Sequence, residues 1–134
     1  MSNEQDFSGL IQALASENKR FEAAEKLIDA GSSAVEPLVS ALKFDNWRVR
    51  GNAAWTLGEI GDARAVNGLV EALDDSVPEV RATAGRALVN IGRPSIGPLL
   101  KLIEKRDCRA KGLVSCILSC LGVDEAQRSI PKPA

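Results

Sequence analysis

The side chains best suited to chemistry in this chain are three thiols, Cys108, Cys116 and Cys120, in the pattern C-x7-C-x3-C. A thiolate can act as a nucleophile or as a soft metal ligand. A structural zinc site takes four ligands, so three thiolates are one short. The chain has no histidine to complete the set or to serve as the base that activates a cysteine nucleophile. The three cysteines are therefore expected to behave as small hydrophobes. Asp74-Asp75 is the one adjacent carboxylate pair among turn residues, and it reads as a helix cap. Neither GxGxxG nor GxxxxGK[ST] occurs. The expectation is no catalytic residue, no metal and no cofactor.

Two other groups could bind. Trp47 and Trp55 are the only tryptophans, and an exposed tryptophan is a common anchor for a partner. Each also has a structural reading, packing on a neighbouring helix or turn. Arg20, Arg50, Arg81 and Lys111 recur at one repeat position. They form either an anion-binding ladder or a structural one that holds turn carboxylates and helix-end carbonyls of the next repeat. Regular recurrence and a net charge of −1 favour the structural ladder.

Periodicity defines the elements that carry these residues. Gly31, Gly61, Gly92 and Gly122 punctuate the chain at spacings of 30, 31 and 30. Before Gly61 lies the stripe Val49, Ala53, Leu57, Ile60; before Gly92 lies Val80, Ala84, Leu88, Ile91. Ala23, Leu27, Ala30 and Ala110, Val114, Leu118, Leu121 are the copies before Gly31 and Gly122. Steps of four, four and three make one helical face, and each glycine stands where a helix end takes a left-handed residue. A second stripe recurs as Leu10-Ile11-Gln12-Ala13-Leu14, Leu38 to Leu42, Leu69 to Leu73 and Leu99 to Ile103.

The unit is thus an A helix, a short loop opened by glycine, a B helix and a polar turn. A helices are predicted near 17–30, 46–60, 78–91 and 108–121, and B helices near 4–15, 34–43, 64–73 and 95–105. Ala24, Ala54, Gly85 and Ser115 are matched small residues that would let helices stack closely. The fold class is all-α: a right-handed α–α superhelix, one domain over 1–130. It divides into a half-repeat at 4–16, repeats at 17–45, 46–77 and 78–107, and a partial repeat at 108–130, with a disordered tail at 131–134.

Composition agrees. Of 134 residues 45% are hydrophobic, 26% charged and 4% aromatic, enough for a core built mainly on alanine and leucine. With 17 basic and 18 acidic residues there is no basic excess to hold nucleic acid, and no membrane association is expected. An odd cysteine count and a polar N-terminus point to a cytoplasmic location.

VRGNAAWTLGEIGDARAVNGLVEAL at 49–73 and VRATAGRALVNIGRPSIGPLL at 80–100 resemble the short HEAT-like repeat named after phycobilisome bilin lyases. The resemblance covers about 18–122. It implies a helical-hairpin solenoid and says little of function, because such repeats serve many proteins. Deoxyhypusine hydroxylase is similar to this array, and the resemblance implies an iron site of His-Glu pairs within the repeats, which a chain without histidine cannot supply. Bilin lyase subunits are similar too; they are much longer and work with a partner subunit.

The function expected from the sequence is a non-catalytic scaffold or adaptor that binds protein. The alternative is an accessory subunit or fragment of a bilin-lyase-like or other enzyme complex. Gln12, Ser40, Glu71 and Lys101, with Glu36 and Asn67 one turn earlier, are expected to line a recognition surface on the B helices, taken as the concave side. In the last A helix, Leu113, Cys116, Ile117 and Cys120 spread apolar surface around the helix, so the C-terminal end is expected to meet a partner or a second copy in a homodimer.

Overall fold

The structure is a computed structural model, described here for residues 7–104 and 110–123. Its order is α1 (Ser8–Ala13), α2 (Arg20–Ala30), α3 (Ser32–Ala41), α4 (Trp47–Ile60), α5 (Val66–Ala72), α6 (Pro78–Ile91), α7 (Ile96–Ile103) and α8 (Lys111–Cys120). No strand occurs among the described residues. The predicted tail, the segment after Val123 and Cys108 lie outside these residues.

The helices form a two-layer all-α solenoid. The A helices α2, α4, α6 and α8 make one layer and the B helices α1, α3, α5 and α7 the other. Each A stripe is buried: Ala23 and Leu27, Val49, Ala53 and Leu57, Val80, Ala84 and Leu88, Ala110, Val114 and Leu118. Leu14, Leu38, Leu69 and Leu99 answer from the B layer, each without exposed surface. The four predicted glycines all have positive φ: 61° at Gly31, 75° at Gly61, 89° at Gly92 and 85° at Gly122. A side chain there would be strained, so the sharp A-to-B reversal depends on glycine.

Local chemistry sets the remaining ends. Asn46 caps α4, its side chain accepting from the Arg48 N–H at 2.9 Å. Pro78 opens α6, where a missing N–H costs nothing. Short 3-10 turns, Ala63–Ala65 and Arg93–Ser95, lead into α5 and α7. In the first repeat that stretch is already helical, so α3 starts at Ser32 and contains Pro37. Pro37 corresponds to Asn67 and Pro98, which stand in the first turn of their own helices, where proline is tolerated.

Consecutive A helices approach each other more closely than consecutive B helices do. The tightest seam is α4 on α6. There the backbone of Gly58 sits so near its neighbour that an added Cβ would lie 2.7 Å from Ala87 Cα. Matched small residues extend the seam: Ala24, Ala54 and Gly85 are buried, and a Cβ on Gly85 would lie 3.2 Å from Ile117 Cδ1. This packing joins successive A helices into one continuous layer.

Gly58→Ala should therefore destabilise the protein even though alanine favours helix by about 1 kcal/mol over glycine. The clash is with backbone, so overpacking of about 1–3 kcal/mol should prevail. Thermal unfolding followed by circular dichroism would show a lowered Tm; an unchanged or raised Tm would mean the helices separate at no cost.

Candidate functional site

The ladder position does structural work in the middle of the array. Arg50 spans three successive pieces of chain. Its guanidinium donates to the carbonyls of Phe44 and Asp45 at 2.8 and 2.9 Å. It also grips both carboxylate oxygens of Asp75, in the turn after α5, at 2.8 and 3.0 Å. Arg81 donates to the Asp75 carbonyl at 2.7 Å, and the Asp75 carboxylate accepts the Val77 N–H at 2.9 Å. Burial alone would push the Asp75 carboxyl up. Hydrogen bonds from Arg50 and Val77, with the charges of Arg50 and Arg81, outweigh it and hold the group below the usual range. Arg20 instead lies over the Phe21 ring at 4.9 Å, and Lys111 is exposed. On the opposite edge Arg64 pairs with Asp62 and reaches back to the Ser32 carbonyl at 3.0 Å. Side-chain and backbone hydrogen bonds from Arg64 lower the Asp62 carboxyl.

The A-helix face carries two grooves. One, about 460 Å³, runs between α6 and α8, with Trp55 and Arg86 on one side and Leu113, Cys116 and Cys120 on the other. The second, about 310 Å³, lies between α2 and α4 and is lined by Arg20, Phe21, Trp47, Arg48 and Glu79. Trp55 and Thr83 belong to both, so the grooves join. Trp55 is 40% exposed and Phe21 64% exposed. Arg48 stacks on Trp47 at 5.0 Å. The floor of the second groove is pinned by Asn52, whose amide donates to the Leu14 carbonyl at 2.6 Å.

The residues singled out in the sequence are divided between layers. Trp47 and Trp55 meet at the A-helix grooves. Gln12, Glu36, Ser40, Asn67, Glu71 and Lys101 are all exposed, on the B layer. Glu71 there pairs with Lys43 at 3.5 Å, an exposed contact worth little. The C-terminal group also splits. Cys116 and Cys120 are free and exposed, and with Leu113 they line the first groove. Ile117 is buried against α6, so it is core and not a contact surface at the end of the array. Phe21, Arg48 and Arg86 were missed. Phe21 had a signal: it stands where the other repeats hold Gly51, Ala82 and Gly112, a large ring in a row of small residues.

Fold and face define an α-helical repeat protein with a grooved A-helix surface. Residues 7–89 match the family model for HEAT repeats, and the chain belongs to that family. Human deoxyhypusine hydroxylase is 31% identical over 108 residues, which are 75% of this chain and 36% of that protein. The Drosophila melanogaster enzyme of the same name is 33% identical over 73 residues, 53% of this chain and 24% of its own length. The solved structure of human deoxyhypusine hydroxylase in complex with glycerol superposes with a TM-score of 0.66 at 28% identity, covering 98% of this chain and 48% of that one. A crystal structure of an engineered protein, at 23% identity and a TM-score of 0.53, shares the fold. This chain thus spans about a third of the human relative it matches.

These relatives are enzymes, and they overturn the expectation of a non-catalytic scaffold. That expectation rested on the missing histidines, which bear on one donor set and not on the whole array. The donor set itself does not fit the His-Glu iron site that the resemblance implies. The chain has no histidine, and the described residues hold no group of three metal-ligating side chains. No helix among them is long and apolar enough to cross a membrane.

Four substitutions test the site's architecture. Asp75→Ala should cost about 1.5–3 kcal/mol, the range for charged hydrogen bonds, since the pair is part-buried and Arg50 keeps its carbonyl partners. Because the folded Asp75 carboxyl titrates below its unfolded value, its stabilisation is complete above about pH 4 and is lost as pH falls through the folded value. Asp75→Asn should flatten that acid limb in urea melts; an unaltered pH dependence would mean the pair is not formed in solution. Leu57→Ala should cost about 2–5 kcal/mol and Trp55→Ala about 1 kcal/mol. A larger loss at Trp55 would place it in the core and remove it from the groove.

Proposed function

We infer that this chain is one half-array of an enzyme assembly of the deoxyhypusine hydroxylase kind, with the metal donors contributed from outside these 134 residues. The observation that carries the reading is the superposition of nearly the whole chain on 48% of the human enzyme. An array that superposes on half of a solenoid enzyme but lacks histidine donors is suited to hold or orient a substrate beside a metal bound elsewhere. The accessory role raised by the sequence is thereby given a particular enzyme class. The 30-residue period supports placing the repeats in the short variety named after phycobilisome lyases, although the matched enzymes are hydroxylases. Free Cys116 and Cys120 suit a reducing cytoplasm.

Iron analysis of the purified chain and of the native assembly captured through it would test this. The chain alone should carry no stoichiometric iron. The captured assembly should contain iron and should add one oxygen to a deoxyhypusine-bearing protein, read by mass spectrometry. An assembly with neither iron nor that activity would overturn the reading.

A further inference from the structure

The joined grooves are lined by more arginine than carboxylate. Their charged lining residues are Arg20, Arg48 and Arg86 against Glu79 alone, in a chain whose net charge is −1. None of the three arginines is in an ion pair among the described residues. The contrast with Arg50 is direct: that arginine is saturated by one carboxylate and two carbonyls. Arg20 and Arg48 lie over the Phe21 and Trp47 rings. Such stacking fixes a guanidinium plane while leaving its N–H edge open for a planar anion. Between them the groove wall is apolar: Trp55, Ala87, Val89 and Leu113.

We propose that this A-helix face docks an acidic, leucine-bearing segment of a partner protein. Its apolar side chains enter the groove between α6 and α8 beside Trp55, and its carboxylates meet Arg86, Arg48 and Arg20. Carboxylates match the arginine fork, and rigid aromatic walls give contact area at low entropic cost. A single-stranded nucleic acid is the other polymer that stacks on aromatics among arginines. The face disfavours it. Glu79 lines the second groove, and Glu59, which accepts from Asn90 at 3.4 Å, stands at the edge of the first. A continuous phosphate backbone would pass both carboxylates, whereas a peptide can place its charges between them. The inference goes beyond the hydroxylase reading and stands without it, because binding needs neither iron nor oxygen transfer.

A fluorescein-labelled peptide of glutamates, with leucines at helical spacing, would test it by anisotropy and by tryptophan emission of the whole chain. The expected result is saturable binding that weakens with added salt. Arg86→Ala and Arg48→Ala should each lower affinity about tenfold, the loss of one charge-assisted contact. Arg86→Lys should recover part of that loss, Trp55→Ala should weaken binding and Trp55→Phe should retain it. All of these residues are exposed, and unchanged circular dichroism would confirm that the variants fold. Equal binding of the same peptide with lysines for glutamates would overturn the proposal. So would indifference to both arginine substitutions, or tighter binding of a single-stranded oligothymidylate.

Discussion

The close approach of α4 and α6 is the constraint on which the rest of the molecule depends. At Gly58 the next helix backbone occupies the space a side chain would need. Interiors pack at crystalline density and forgive little, so one missing Cβ fixes the spacing of two repeats. The close A-helix packing in turn brings side chains from different repeats to a common surface. Trp55, Arg86 and Cys116 stand at one matched repeat position, and they line one groove. The recessed seam of small residues is the floor, and its larger neighbours are the walls.

Register along the array comes from polar contacts at its edges. Arg50 ties the turn before its own helix to the turn after the next B helix, and Arg64 ties one glycine loop to the preceding one. Both are bidentate toward a carboxylate, a geometry that fixes orientation as well as distance. A repeat protein contacts only its neighbours, so clamps that reach across one repeat are the longest-range order such a fold can use. Arg50 is committed to the clamp, whereas Arg20, Arg48 and Arg86, which line the grooves, are in no ion pair among the described residues.

Much of this was legible in the sequence. The four glycines, the buried A stripes and the leucines of the B helices follow from a helical period and a fixed repeat, and both are local properties. The tightness of the α4–α6 seam was not legible, because it depends on contacts between repeats that no single repeat encodes. Gly58 illustrates the limit. Its equivalents are Ile28, Val89 and Ser119, so it belonged to no small-residue pattern, yet it makes the tightest contact. Ile117 shows the converse. The apolar surround of α8 was visible, but only packing against Gly85 reveals that Ile117 points into the core while Cys116 points out.

Function was less legible, and the reason is chemical. Histidine is the usual signature of acid–base and iron chemistry, and a chain without it reads as inert when judged by its own donors. An enzyme built from repeats does not confine its site to one stretch of chain. Its donors can stand on some repeats while others supply shape, and the shape-supplying repeats keep fold and length without the reactive residues. Likeness over 98% of this chain to 48% of an enzyme is what such a division of labour would leave. On that reading, the groove lined by Trp55, Phe21 and the arginines would serve the part of the task that needs no metal. Its residues vary from repeat to repeat, while the glycines and leucines that build the array recur.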